Sequence, residues 1–485
     1  MKKLFYFLLL LFSTVIYSQS QFIQFINHVN SLTDPAQKTA AVDSFIIYAR
    51  TVGIPFIEDS TSNFICLGNY NSVTVAGDFN NWSSNASPLT RLSQTNFWYR
   101  SHNFELDARL DYKFVVNSST WILDPENPHT CSGGFGPNSE LAMPDYIQPW
   151  EIQYNPNILH GTVLSKSIYS TNTSVTYQLN IYLPPGYDTL SALTYPAVYF
   201  QDGGEYISLA SAVKVIDNLI DSNKIKPLIG VFVTPNNRNE EYAYSKRNQY
   251  RLFFVNELVP YIDNNYKTIE SPDKRLVLGD SFGGNISALI SYNHPEVFGL
   301  CGLHSAAFWP NSYEALVLIT SGPIKPIKWS SIWGTYESLY PELRSFRDFL
   351  LGNNCQLDWL ERPEGHSWGL WRASLDRMLE YFFPANATGI SLNENQIVDN
   401  FNLSRNYPNP FNPGTVIKYQ LPVSSKVMIK VYDILGKEIA TLVNEVKPAG
   451  KYEINFNATQ ITSGVYLYKI QAGNYIETKK MILIK

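Results

Sequence analysis

Between about residue 150 and residue 384, continuous apolar runs alternate with segments whose apolar residues recur at helical spacing. Residues 175–183 and 196–200 read as strands, and Leu209, Val213, Ile216 and Leu219 as one face of a helix. Residues 228–233 form another apolar run, 253–266 another helical pattern, and 275–278 a further strand. Strands apolar on both faces, separated by amphipathic helices, can bury themselves only in a largely parallel sheet covered by helices on both sides. The fold class of this region is therefore α/β.

One strand in that series ends unusually. In Leu276-Val-Leu-Gly-Asp-Ser-Phe-Gly-Gly-Asn285 the apolar run breaks at Gly279, presents Ser281, and resumes after Gly283 and Gly284 as a helix-like segment. This is the pattern of a nucleophile elbow, in which a serine sits in strained backbone on a sharp strand-to-helix turn and the glycines let neighbouring chain approach. A serine hydroxyl is a weak nucleophile at neutral pH. It needs a base in contact, an acid to orient the base, and donors for the developing oxyanion.

The base should follow the acid in the chain. Of seven histidines, His28, His102 and His129 precede the α/β region and His160 lies at its entrance. His294 caps a helix beside Pro295, and His304 follows an apolar run beside Ser305, as a core or supporting histidine would. His366, in Pro363-Glu-Gly-His-Ser-Trp-Gly369, stands in a turn-rich loop before the final helix and is the expected base. Glu337, just past the short apolar strand in Ile332-Trp-Gly-Thr-Tyr-Glu-Ser338, is the expected acid, with Asp348 and Asp358 as competitors. The expected oxyanion donors are the N–H of Phe282 and that of Gly203 or Gly204, in Gln201-Asp-Gly-Gly-Glu205. Such chemistry requires neither a metal nor an organic cofactor.

At 485 residues the chain exceeds one core and should hold several domains. A net charge of -5 provides no basic field for nucleic acid. Lys2 and Lys3, an apolar run over residues 4–16 and the small Ser18 and Ser20 read as a secretory signal peptide over residues 1–20. No later stretch is long and apolar enough for a membrane span. Residues 21–60 show helical spacing broken at Asp34-Pro35, a helical hairpin. Four cysteines, Cys66, Cys131, Cys301 and Cys355, allow three pairings, Cys66 with Cys131 among them; small buried thiols are the other reading.

Residues 61–148 change to short alternating strands with Gly, Asn, Asp and Pro turns, as in a β-sandwich. The turn Gly77-Asp-Phe-Asn-Asn-Trp82 and the strand Tyr112-Lys-Phe-Val-Val116 resemble the early-set family that binds glycogen and starch. That resemblance implies a sugar-stacking platform at Trp82 and Trp121, or a purely structural wall beside an active site. Residues 385–406 read as a polar, Asn-rich linker. Residues 407–485 return to alternation, a second β-sandwich. Its phrases Tyr407-Pro-Asn-Pro-Phe-Asn-Pro413, Val431-Tyr-Asp-Ile-Leu-Gly-Lys437 and Ser463-Gly-Val-Tyr466 resemble the C-terminal sorting domain of type IX secretion. The implied partner is the type IX machinery, with surface attachment or release after export.

Residues 149–384 resemble the esterase family that includes enterochelin esterases, feruloyl and acetylxylan esterases of carbohydrate esterase family 1, S-formylglutathione hydrolases and mycolyltransferases. The shared phrases are Leu183-Pro-Pro-Gly-Tyr187, Asn237-Arg-Asn-Glu-Glu-Tyr242, Glu257-Leu-Val-Pro-Tyr-Ile-Asp263, Gly279-Asp-Ser-Phe-Gly-Gly284 and Gly365-His366. The resemblance implies an α/β-hydrolase catalytic domain and a secreted serine esterase acting on feruloyl or acetyl esters of polysaccharide. A siderophore esterase is the alternative with the same chemistry; Arg238, Lys246, Arg247 and Arg251 would then supply a basic pocket. A non-catalytic surface carbohydrate-binding protein is the alternative of a different class. At Arg238 and Glu241 two readings stand side by side, an internal ion pair that shapes the pocket and a solvated loop.

Overall fold

The computed structural model describes residues 20–385 and 401–484, apart from residues 135, 405, 407, 422–424, 448–449, 460 and 474. The expected signal segment (but for residue 20) and residues 386–400 of the expected linker lie outside the described residues. The chain divides into two units, Met1–Asn386 and Ala387–Lys485.

An eight-stranded sheet organises the first unit. Its strands are β1 (Thr162–Ser170), β2 (Val175–Leu183), β3 (Ala197–Phe200), β4 (Ile229–Thr234), β5 (Arg275–Asp280), β6 (Leu300–His304), β7 (Lys328–Gly334) and β8 (Leu357–Arg362). They lie in the order β1-β2-β4-β3-β5-β6-β7-β8. β1, β2 and β4 pair antiparallel and the remaining pairs are parallel. This order, with a serine turn at the end of β5, is the architecture of an α/β hydrolase.

Side-chain alternation along the central strands feeds two separate cores. Tyr199, Val231 and Val277 join one, while Val198, Phe200, Leu276 and Leu278 join the other. Each such side chain contributes about 1.5–3 kcal/mol by leaving water, which is why these strands read as unbroken apolar runs.

Before this sheet, helices Gln21–Ser31 and Pro35–Val52 pack on each other through Phe25 and Phe45, whose rings stack at 4.0 Å. They cover an antiparallel sheet of Phe56–Glu58, Thr61–Leu67, Phe97–Asn103 and Thr90–Arg91. A second antiparallel sheet contains Val73–Gly77, Arg109–Val116, Gly136–Ala142 and Thr130–Gly133, with Thr120–Ile122 at its side. The two sheets share a core to which Leu110, Tyr112, Phe114 and Val116 contribute. The opposite face of the same strand therefore carries Arg109, Asp111 and Lys113. Arg109 is fully buried all the same, because the α/β domain covers that face.

The second unit has its own core, with Ile417, Val427, Ile429, Tyr468 and Met481 among its members. Two antiparallel sheets enclose it: a three-stranded one ordered Asn402–Leu403, Gly414–Leu421, Gly450–Asn457, and a four-stranded one ordered Glu438–Lys447, Ser425–Asp433, Gly464–Ala472, Tyr475–Leu483.

Candidate active site

β5 ends at Asp280, and Ser281 turns the chain with φ 53° and ψ -118° into the helix Phe282–Asn293. A non-glycine residue there costs about 1–3 kcal/mol, so surrounding bonds must hold it. The Ser281 N–H donates to the His304 carbonyl at 2.9 Å, and the Ser281 carbonyl accepts from the Ala307 N–H at 2.9 Å. Glycine is needed at position 279 because a Cβ would overlap the Gly283 backbone and approach Gln201 Cβ to 2.9 Å.

Glu337 lies just past β7 with its side chain fully buried. Its Oε1 accepts from the Gly334 N–H at 2.7 Å and from Ser305 Oγ at 2.8 Å. Its Oε2 is 2.5 Å from His366 Nδ1. With Nδ1 bound to a carboxylate, the proton of a neutral His366 resides there and Nε2 is left as an acceptor. Trp371 supports the pair: its ring meets the imidazole edge-on at 5.1 Å, and its Nε1 donates to Ser305 Oγ at 3.1 Å.

Ser281 and His366 both line a cavity of about 490 Å³. Arg238, Trp368 and Trp371 belong to the same wall. The rest of the lining comes from the N-terminal sheets and their turns and includes Trp82, Lys113, Trp121 and Asn138. The Trp82 and Trp121 rings lie 6.5 Å apart at 29°, and Trp82 Nε1 donates to Asp78 Oδ1 at 3.0 Å. Glu337 stands behind this cavity, and Phe282, Gly203 and Gly204 are not among its lining residues. Gly203 begins a short helix after Asp202, whose backbone is left-handed at φ 53° and ψ 38°. The first N–H groups of a helix have no intrahelical acceptor.

The loop bearing His366 rests on the N-terminal sheets. The Arg109 N–H donates to the Pro363 carbonyl at 3.1 Å, and Arg109 Nη1 donates to Ser367 Oγ at 3.1 Å. Arg109 Nη2 also meets Asp111 at 2.6 Å and Glu140 at 2.7 Å, and Arg372 reaches Glu140 at 2.8 Å. Beside Glu337, Tyr336 Oη donates to Glu105 Oε2 at 2.6 Å. Two acids in this junction hold their protons unusually tightly: burial, then the Asp111 charge, pushes Asp78 up to about 8, and burial pushes Glu364 up to about 7. Sequence reading missed Arg109, Asp78 and Tyr336 as members of the site. Charged residues alternating with apolar ones on a strand signal a solvated face, and nothing local says that another domain covers it.

Several expectations are corrected. Arg238 does not pair with Glu241; it bridges Asp202 and Asp280, while Glu241 accepts from Tyr177 Oη and the Asn236 N–H, each at 3.0 Å. All four cysteines are free, with Cys66, Cys131 and Cys301 buried, which fits the reading of small buried thiols and leaves no Cys66–Cys131 bridge. Asp348 pairs with Arg347 and Asp358 with Arg377, away from His366. Of the four cations considered for a basic pocket, only Arg238 lines the cavity; Arg247 pairs with Glu314, and Arg251 contacts His294. His304 is fully buried, and burial drives its pKa down to about 3, which keeps it neutral.

Comparison with known proteins fits this architecture. Residues 170–382 match the family described as "Putative esterase", and residues 405–485 match the secretion system C-terminal sorting domain. The sorting domain supports export to the cell surface or beyond. An endo-1,4-beta-xylanase/feruloyl esterase of Xylanibacter ruminicola is 32% identical over 228 residues, 45% of this chain and 31% of that protein. An uncharacterized Bacillus subtilis protein is 28% identical over 163 residues, 31% of this chain and 63% of its own length. The chain thus spans less than two thirds of either curated relative. Among solved structures, the enterobactin esterase of Shigella flexneri superposes with a TM-score of 0.57 at 19% identity, over 66% of this chain and 92% of that one. The ferric enterobactin esterase of Salmonella typhimurium gives 0.58 at 17% identity, over 66% and 93%. No helix among the described residues is long and apolar enough to cross a membrane.

Proposed function

We propose that this chain is a secreted serine carboxylic-ester hydrolase that acts on feruloyl or acetyl esters of polysaccharide. The observation that carries the reading is the buried Glu337 bonded to His366 on a cavity that also exposes Ser281 in strained turn backbone. Ser281 Oγ attacks the ester carbonyl carbon while His366 Nε2 takes its proton. The negative charge gathers on the carbonyl oxygen, which the N–H of Phe282 and that of Gly203 or Gly204 receive. Collapse breaks the C–O bond, and His366 returns the proton to the departing alcohol. Water, deprotonated by the same imidazole, then releases the acid from Ser281. Glu337 holds the imidazole tautomer and offsets its charge when it is protonated.

The substrate half of the reading rests on the second cavity wall. Two indoles on the same cavity as Ser281, their rings 6.5 Å apart and inclined at 29°, suit the CH-rich face of a sugar or the flat ring of a feruloyl group. We read the region expected at 61–148 as an early-set-type β-sandwich lending Trp82 and Trp121 to the site, its first sheet already joined by Phe56–Glu58 after the helical hairpin Gln21–Ser31 and Pro35–Val52, and followed by the catalytic domain at 149–384. A linker at 385–406 then leads to residues 407–485, which engage the type IX secretion machinery. The feruloyl esterase named in the Xylanibacter relative supports the polysaccharide assignment. A siderophore pocket has less support, since the cations among the described lining residues are Arg238 and Lys113 alone, and Asp202 and Asp280 already engage Arg238.

The deciding experiment compares ferulate or acetate release from arabinoxylan with cleavage of a catecholate trilactone, for wild type and Ser281→Ala. Polysaccharide-ester release lost in Ser281→Ala is the expected result. Faster trilactone cleavage overturns the substrate, and full turnover by Ser281→Ala overturns the mechanism.

A further inference from the structure

Two acidic residues stand immediately before the two turns that face the reacting carbonyl in this reading. Asp202 precedes Gly203, and Asp280 precedes Ser281. Both are almost wholly buried. One cation meets them both. Arg238 Nε donates to Oδ1 and Oδ2 of Asp202, each at 2.9 Å, and its Nη2 lies 2.8 Å from Asp202 Oδ2. The same Nη2 is 3.5 Å from Asp280 Oδ2 and 3.4 Å from the Asp280 carbonyl oxygen. Tyr242, one helical turn beyond Arg238, receives the Asp202 N–H on its hydroxyl at 3.0 Å. The guanidinium also lies 5.8 Å from the centroid of the Phe282 ring.

We propose that Arg238 is the positioning residue of the oxyanion hole: it ties the Asp202–Gly203 turn to the Asp280–Ser281 elbow, so that the backbone donors of both turns converge on one oxygen. The inference rests on Ser281 being the nucleophile.

Burial, then the Asp202 charge, raises Asp280 well above the usual carboxylate range while Arg238 lowers it, so a cation between the two acids turns their repulsion into a link. Asp280 Oδ1 has no hydrogen-bond partner, so Arg238 is the polar contact that restrains this carboxylate. The planar fork of a guanidinium can address Asp202 with two nitrogens while reaching Asp280 with one of them, which a lysine ammonium cannot reproduce. The effect on chemistry follows from tolerance: a catalytic constellation loosened by more than about 0.5 Å loses its advantage. An ordinary surface ion pair would instead leave the chemical step unchanged.

The test uses the full chain and a simple aryl acetate, with Arg238→Ala, Arg238→Lys, Asp202→Asn and Ser281→Ala. Removal of Arg238 should lower kcat about 100-fold, the loss seen when one oxyanion donor is removed, with KM changed less than about threefold. Affinity for an aryl boronic acid, which binds a catalytic serine as a tetrahedral anion, should fall in parallel with kcat. Because Arg238 lines an open cavity, added guanidinium ion should restore part of the activity of Arg238→Ala, whereas Arg238→Lys should stay well below wild type. Unchanged kcat and boronate affinity in a folded Arg238→Ala overturn the proposal, as does a loss confined to KM. Should Arg238→Ala fail to fold, Asp202→Asn carries the test: kcat and boronate affinity both about tenfold lower support the link, and unchanged values overturn it. Ser281→Ala separates the two levels of inference. If it keeps wild-type turnover, the nucleophile assignment has failed; if it is inactive while Arg238→Ala is not impaired, only the link has.

Discussion

Asp78 and Gly365 compete for one space. Asp78 opens the short helical turn that follows the N-terminal strand Val73–Gly77 and Gly365 precedes His366, yet a methyl group on Gly365 would overlap the Asp78 carboxyl group. The same carboxylate accepts from the Asp111 N–H at 2.7 Å and from Trp82 Nε1 at 3.0 Å. The imidazole loop and the indole wall of the cavity are therefore packed around one side chain. Gly365→Ala should lower kcat on a small aryl ester at least tenfold and destabilise the fold by about 1–3 kcal/mol, as overpacking does. Kinetics together with thermal melting would check it, and a fully active, fully stable Gly365→Ala would contradict this packing.

Glu337→Gln should cost more than its small change in shape suggests. An amide can satisfy the Gly334 N–H and Ser305 hydroxyl or the His366 Nδ1–H, but its NH₂ must face one of these donors. A loss in kcat of about 10⁴-fold is expected, as for the acid-to-amide change in other triads. Steady-state kinetics with KM reported separately will measure it.

Trp121 is 44% exposed and lines the cavity, whereas Trp82 is tethered by its indole N–H. Trp121→Ala should shift the ratio of activity on arabinoxylan to activity on aryl acetate by about tenfold, the value of roughly one stacking contact. An unchanged ratio would assign this wall a structural role.

Glu364 is fully buried, both its carboxylate oxygens lack hydrogen-bond partners, and its pKa is raised from 4.5 to about 7. In that window the folded chain holds a proton that the unfolded chain releases. The stabilisation is complete below about pH 4.5 and is lost as pH rises through about 7. Glu364→Gln should thus gain on wild type as pH rises, by up to about 3 kcal/mol above neutrality. Denaturant melts at about pH 5 and pH 8 will read the difference, and a pH-independent difference would refute it.

Cys66 and Cys301 are pushed up to about 12 and Cys131 to about 11, mainly by burial, while Cys355 is partly exposed. A thiol reagent should modify Cys355 first in the native protein and all four cysteines after denaturation. Mapping the labelled peptides will check the order.

The sequence by itself determined the architecture of the α/β region, because strands buried on both faces must be apolar throughout and a G-x-S-x-G break among them has few structural uses. The positions of Ser281, Glu337 and His366 were legible as loop positions for the same reason: each follows the carboxyl end of a parallel strand, β5, β7 or β8, the end of such a sheet where ligands can reach. Arg238 shows the limit. Its spacing to Glu241 on a short helix suggested a local pair, but its partners are 36 and 42 residues away on two other turns. Arg109 shows it more sharply, since it reaches Ser367 across 258 residues. Local periodicity records which face of an element is apolar. It carries no record of which distant surface covers a charged face, so only the tertiary structure decided that the N-terminal sheets hold the histidine loop and form half of the cavity.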